Sequence, residues 1–258
     1  YNEKIEMQNT NMFVELGKSV SINDIHPDHL ALSILLVTNS FVGSVLNIPF
    51  AVSEKFKEAT KRISRFQVVF AEGQVPAYEI NKDSRPGLSF SGGADSTAAL
   101  LLMPKSTLAV FMDRPLKEKA SLYNKSAAYA TIEHARFVGY DVQAVSCNLE
   151  YLRSPIGFPS DLAPSIPLIL MASSRNLDSI AFGTVLESSY RVGHELCRDY
   201  KSSGHYKVWG GLYSAAGIPL YLPVAGISEV GTSTIVQASS FKDFTRSCIR
   251  GVWPNSCE

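Results

Sequence analysis

The sequence predicts an α/β protein: a doubly wound parallel sheet of five strands, preceded by an N-terminal extension of mixed helix and strand. Two patterns lead there. From Leu88 onward, short apolar runs alternate with longer stretches of helical composition, and such alternation implies right-handed crossovers between parallel strands. The run Leu108-Ala109-Val110-Phe111-Met112 has no polar interruption, the mark of a strand covered on both faces. With 258 residues, 45% hydrophobic and 19% charged, the chain can bury such a core and is too apolar to be disordered.

The elements follow in order. Residues 1–87 form the extension. Asp28 precedes an apolar run, His29 to Val37, that suits a buried helix, and the uncharged stretch Leu30 to Val52 reads as that helix plus a connection. Ser53 is placed to cap a helix over Glu54 to Ile63, where Phe56, Ala59 and Ile63 share a face. Arg65 to Ala71 alternates as a strand does, and Asn81 to Gly87 is rich in turn residues. The main domain, residues 88–245, opens with a strand at Gly87-Leu88-Ser89-Phe90 and a helix over Thr97 to Met103 that Pro104 stops. Leu108 to Met112 is the second strand, and Ser121 to Val138 is a helix ending at Gly139. Asp141 to Cys147 is the third strand, with a helix from Pro164 or Ser165 to Asn176 after it. Ser179 to Phe182, ending at Gly183, is the fourth strand and Pro219 to Leu222 the fifth. In such sheets ligands sit at the carboxyl ends of the strands. Residues 246–258 are a separate tail.

Composition narrows the function classes. Lys plus Arg equals Asp plus Glu, 24 each, so no broad basic field exists for wrapping nucleic acid. Lys55, Lys57, Lys61, Arg62 and Arg65 could contact RNA, but Glu54 and Glu58 dilute them and an ordinary solvated face is the expectation. Four cysteines are too few for a disulfide framework and suit a reducing compartment, so a cytoplasmic location is expected. Tyr1 to Glu6 carry charges of both signs, unlike a signal peptide. Ser33, Thr38, Asn39, Ser40, Ser44, Asn47 and Pro49 argue against a membrane span over 30–52. The expected partners are small molecules, with a homodimer as the assembly.

The segment that carries chemistry is Ser91-Gly92-Gly93-Ala94-Asp95-Ser96-Thr97, set between a predicted strand and a predicted helix. Gly92 and Gly93 allow positive φ and close backbone approach to a ligand. Successive N–H groups can form a concave nest, the helix adds its partial positive end, and Ser91, Ser96 and Thr97 add hydroxyls. This is a phosphate or pyrophosphate cradle. The G-x-x-x-x-G-K-[ST] lysine and the G-x-G-x-x-G spacing are both missing. Asp95 makes sense inside such a loop if a divalent cation accompanies the phosphates, or if its carboxylate holds the loop amides.

Ser91 to Ser96 resembles the SGGxDS signature of the PP-loop ATP pyrophosphatases. The resemblance implies an adenine nucleotide α-hydrolase-like fold, with ATP and Mg²⁺ as cofactors. It also implies AMP-forming chemistry, in which a substrate oxygen is adenylated and a nitrogen or sulfur nucleophile then displaces AMP. A nucleotide-binding module without turnover and a tRNA-modifying thiolase or ligase are the alternatives. Within the family, the 7-cyano-7-deazaguanine synthases are similar in having Gly183-Thr184 with the acid Glu187 after the fourth strand, a Pro219-Leu220 strand, and Ser247-Cys248 followed by Pro254 and Cys257. This likeness implies a zinc site at Cys248 and Cys257, although the further cysteines of a C-x-x-C-x-x-C ending are missing, and Glu229 stands where that subfamily has Lys. Its Arg-Asn pair before Pro164 is also missing.

By the same resemblance Ser91, Gly92, Gly93, Ala94, Asp95, Ser96, Thr97, Asp113 and Gly183 are the expected nucleotide contacts, with Arg114 beside them. Asp95 and Glu187 are the expected magnesium ligands, since Mg²⁺ takes one or two carboxylates plus phosphates and waters. Arg191 or Lys201, in a basic loop with His194, Cys197, Arg198, His205 and Lys207, could neutralise a leaving pyrophosphate. That loop's H-x2-C-x7-H set is too sparse for zinc. Cys147 reads as a small buried hydrophobe, and in a thiolase it would be the first residue suspected of carrying sulfur.

Overall fold

The structure is a computed structural model, and it describes residues 5–17, 20–115, 125–190 and 205–246. Beside a short antiparallel pair of β1 (Glu6–Met7) and β8 (Arg153–Ser154), its centre is a six-stranded sheet. Five strands are parallel: β5 (Arg85–Ser89), β6 (Leu108–Asp113), β7 (Asp141–Cys147), β9 (Leu177–Phe182) and β10 (Leu220–Tyr221). The predicted count of five therefore holds for the parallel strands, but a sixth closes one edge. It is β2 (Val14–Glu15), which lies antiparallel to β7 with Val14 opposite Cys147. A two-residue strand leaves little sequence periodicity, so β2 has no signature in the sequence.

Across the sheet the order is β10-β9-β5-β6-β7-β2. The chain runs outward from β5 through β6 to β7, then returns to the other side of β5 for β9 and continues to β10. The order therefore reverses between β5 and β9, and the carboxyl ends of these two strands flank the switch point where doubly wound folds bind ligands. Pro86 lies within central β5, where its missing N–H would break a ladder; the pairing of β5 with β9 shifts register between Arg85 and Pro86 and absorbs the defect. The turn-rich segment before Leu88 thus ends earlier than its composition suggests, at Arg85.

Alternation along β6 divides the core. Leu108, Val110 and Met112 face a layer holding α1 (Pro27–Thr38), α2 (Glu54–Thr60), α5 (Ile166–Arg175) and α7 (Gly211–Ala215). Ala109 and Phe111 face α3 (Ala94–Leu102), α4 (Lys125–Phe137) and α8 (Glu229–Gln237). Residues of the extension thus lie in the same cluster as the sheet: Leu32, Leu35 and Leu36 of α1 are fully buried there, as is Phe56 of α2.

Local chemistry fixes these helices. Ser53 caps α2 by accepting from Phe56 N at 3.2 Å, and Asp28, fully buried, accepts from Ser53 N at 2.7 Å and Ser53 Oγ at 2.6 Å. His29 seats α1 between Ala216 O (3.0 Å) and Ser173 Oγ (3.2 Å), and burial lowers its pKa to about 3. The uncharged stretch 30–52 holds a strand beyond α1: β3 (Val45–Ile48) pairs in parallel with β4 (Gln67–Phe70). No helix among the described residues is long and apolar enough to cross a membrane.

Candidate functional site

The loop after β5 is held by its own serines. The Ser96 hydroxyl donates to Gly93 O (3.1 Å) and accepts from Ser91 N (3.2 Å), while Ser91 Oγ lies 2.9 Å from Ser96 Oγ and accepts from Gly93 N (3.3 Å). Gly92 is buried at φ +78°, and a Cβ there would stand 3.1 Å from Ala128 Cα of α4, so both backbone conformation and space require glycine. Gly93 takes the N-cap position of α3 and brings no side chain to satisfy the first-turn N–H groups. The result is a helix N-terminus at the switch point, preceded by a buried glycine and a half-buried one. Thr97 Oγ1, buried in the same turn, has no hydrogen-bond partner among the described residues.

Asp95 does not hold the loop amides; Ser91 and Ser96 do that. Its Oδ1 instead accepts from Thr232 Oγ1 at 2.6 Å, on the first turn of α8. Glu187, at the start of α6 (Leu186–Tyr190), accepts from Glu229 N at 3.1 Å on that same turn. Both acids are therefore anchored to one turn of α8, each through one oxygen, and each retains a second carboxylate oxygen. The α8 turn is itself capped by Ser228, which accepts from Gly231 N. Nothing in the sequence around Thr232 pointed to this tie, because it joins positions 137 residues apart.

Gly183 follows β9. A Cβ there would lie 2.6 Å from Ser96 N, 2.7 Å from Ser96 Cα and 2.8 Å from the Asp95 carbonyl carbon. The space beside Gly183 is thus filled by the backbone of α3's first turn, and the glycine lets two chain segments meet at the switch point.

Asp113, at the carboxyl end of β6, is engaged by α4: Lys125 Nζ at 2.7 Å and Tyr129 OH at 2.9 Å. Burial, then the bond to Asp113, raises the Tyr129 pKa. Arg114 pairs with Glu150 at 2.9 Å and lies over Phe158. Cys147 is fully buried, and burial pushes its thiol up to about 11. Burial and the raised pKa both keep this thiol in its less nucleophilic, protonated form. The predicted residues Arg191, His194, Cys197, Arg198, Lys201, Cys248 and Cys257 lie outside the described residues, as does the side chain of His205. Among the described residues no group of three or more His, Cys, Asp or Glu could hold a metal.

Comparison with known proteins adds two findings. Residues 208–258 match a family model described as a family of unknown function, DUF6395. Among solved structures, the U34-tRNA thiolase NcsA from Methanococcus maripaludis, determined with its 4Fe–4S cluster, superposes at a TM-score of 0.42 with 16% identity, over 80% of this chain and 70% of that one. No curated protein matches the chain.

Proposed function

We propose that the chain is an ATP pyrophosphatase of the PP-loop type, which adenylates a carboxylate or amide oxygen of a small molecule. The observation that carries this reading is the position of the Ser91–Thr97 loop: an uncapped helix N-terminus behind two glycines, at the carboxyl end of the strand where the sheet order reverses.

In this reading the β- and γ-phosphates of ATP lie against the first N–H groups of α3 and the adjacent serine hydroxyls, and the Thr97 hydroxyl is within the same turn to assist. The free carboxylate oxygens of Asp95 and Glu187 would hold Mg²⁺, which when bound supplies charge neutralisation for the phosphates. The substrate oxygen attacks the α-phosphorus, the bond from that phosphorus to the β-bridging oxygen breaks, and pyrophosphate leaves. A nitrogen or sulfur nucleophile then adds at the adenylated carbon, and the carbon–oxygen bond breaks to release AMP. The chain's work is positioning and charge stabilisation, with Asp95 and Glu187 held by α8 and Arg191 or Lys201 assigned to the leaving pyrophosphate from sequence alone. Asp113 and Gly183 border the nucleotide, with Asp113 oriented by Lys125 and Tyr129. A zinc role for Cys248 and Cys257 would need two further ligands. In the sulfur-transfer version of the chemistry, sulfur must come from a donor other than Cys147.

The test is calorimetric binding of the α,β-methylene analogue of ATP with Mg²⁺, together with AMP formation from ATP. Wild type should bind the analogue, and the double variant Asp95→Asn, Ser96→Ala should bind it at least about tenfold more weakly. Equal affinity in the two proteins removes the loop from the nucleotide site.

A further inference from the structure

A cleft of about 460 Å³ opens beside β10, on the face of the sheet that carries α2 and α7. Its wall is made of three kinds of surface. Pro219, Leu220, Leu222 and Ala225 are apolar. Tyr190 and Tyr206 bring two phenol rings, 38% and 53% exposed. Arg62, just past the end of α2, supplies the cation. No Asp or Glu is among the described residues lining it.

Arg62 differs from its neighbours. Lys57 pairs with Glu54 at 4.0 Å and Lys61 pairs with Glu58, so those cations are neutralised on their own helix. Arg62 has neither an ion pair nor a side-chain hydrogen bond among the described residues. Its seat is shaped by Gly211, where a Cβ would stand 2.7 Å from Arg62 Nη1. A glycine on α7 thus makes room for a guanidinium that meets no carboxylate among the described residues. A guanidinium with no ion pair among the described residues, set beside an apolar wall and two aromatic rings, suits a ligand that carries an anion and a flat ring.

The cleft also adjoins the proposed chemistry. Tyr190 lies on α6 three residues after Glu187, about 4.5 Å further along the helix axis, and β10 pairs with Ile180 and Ala181 in the later half of β9, one of the two strands that flank the switch point. We propose that this cleft is the acceptor subsite, and that it takes a small aromatic anion whose charged group is anchored by Arg62. The anchored group is then distinct from the oxygen that is adenylated, which faces Glu187. The acceptor role rests on the adenylation reading; the anion site does not.

The probe is 2-naphthoate, with 2-naphthamide as its uncharged counterpart, followed by calorimetry and saturation-transfer NMR on the full chain. Naphthoate should bind wild type at least about tenfold more tightly than naphthamide, in keeping with a charge-assisted guanidinium–carboxylate contact. Arg62→Gln should abolish that preference, and Gly211→Ala, which displaces the guanidinium without altering it, should reduce it. Lys57→Gln should leave it intact. Arg62 is exposed and makes no side-chain hydrogen bond among the described residues, so Arg62→Gln should melt with wild type and bind the methylene ATP analogue normally. Equal binding of the two probes by wild type, or an unchanged preference in Arg62→Gln, overturns the proposal. The Asp95→Asn, Ser96→Ala variant should retain naphthoate while losing the nucleotide analogue. If wild type shows the Arg62-dependent preference but does not bind the nucleotide analogue, the acceptor role is overturned and the anion site is upheld.

Discussion

Replacing Gly183 by alanine tests how tightly the switch point is built. The added methyl would meet three backbone atoms of Ser96 and Asp95 at 2.6–2.8 Å, where ordinary contact needs 3.4 Å or more. One segment, β9's exit or α3's first turn, must retreat by roughly 0.8 Å, and neither neighbour is a flexible side-chain end. Gly183 does not occupy the left-handed region, so alanine meets no dihedral strain and gains about 0.4–1 kcal/mol from a stiffer unfolded chain. Overpacking of a tight contact costs about 1–3 kcal/mol, and backbone on both sides puts this site at the upper end. The net loss is then about 2 kcal/mol, or a fall in Tm of roughly 4–8 °C for a chain of this size. Because the displaced atoms belong to the loop helix, affinity for the methylene ATP analogue should fall too. Gly43→Ala is the control: no atom lies within 4 Å of its Cβ, so it should leave both quantities unchanged or raise stability slightly. Calorimetric melting and analogue titration of the two variants decide the matter. A Gly183→Ala protein that melts and binds like wild type would refute the close packing of β9 on α3.

Three further outcomes follow from particular groups. His29 titrates near 6.5 when unfolded and at about 3 when folded, so its contribution is intact above pH 6.5 and is lost as pH falls below it. Urea unfolding should show wild type about 2 kcal/mol less stable at pH 5 than at pH 6.5 from this group alone, with the slope flattened in His29→Gln; an unchanged slope refutes the assignment. Cys147, raised from 9.0 to about 11, should resist iodoacetamide at pH 8 in the folded protein, and Cys147→Ala should keep full AMP formation. Since its folded pKa is the higher one, its share of stability declines as pH rises from 9 toward 11. Thr232→Val removes the hydroxyl bonded to Asp95 while keeping the shape, which should cost about 1–2 kcal/mol of stability in urea and weaken magnesium-dependent analogue binding; unchanged binding would free Asp95 from dependence on α8.

The parts of the fold legible in the sequence are those specified by nearby residues. The apolar run 108–112 is β6 with one residue added, and Asp141 to Cys147 is β7 as drawn. The Ser53 cap is a contact over three residues, and it is where composition put it. Long-range ties were not legible. The pairing of Val14 with Cys147 depends on an edge that only the assembled sheet provides. The strand Val45–Ile48 is not visible within its apolar stretch because the strand it pairs with, Gln67–Phe70, lies beyond α2. At the site, sequence marked Ser91–Thr97, Glu187 and Gly183, but it did not show that the missing side chain of Gly183 accommodates the first turn of α3. Asp95 is turned toward α8 by Thr232, a residue that no local motif distinguished.

These two classes of contact divide the molecule's work. The glycine loop at 91–97 is a local construction: β5, two glycines and α3 are consecutive, and the serines that brace it are five residues apart. A motif of this kind tolerates remote change and can be recognised from a short string. The cleft beside β10 is the opposite case, since Arg62 comes from one side of the nucleotide loop in sequence, and Gly211, Tyr206 and Leu220 from the other. Its charge depends on α2 being docked against α7, and that docking depends on Phe56 in the core and on Asp28 holding Ser53. On the proposed reading, substitutions along residues 28–62 should therefore retune which small molecule is held without touching the 91–97 loop, and the N-terminal segment would be the part of the chain through which acceptor choice is set.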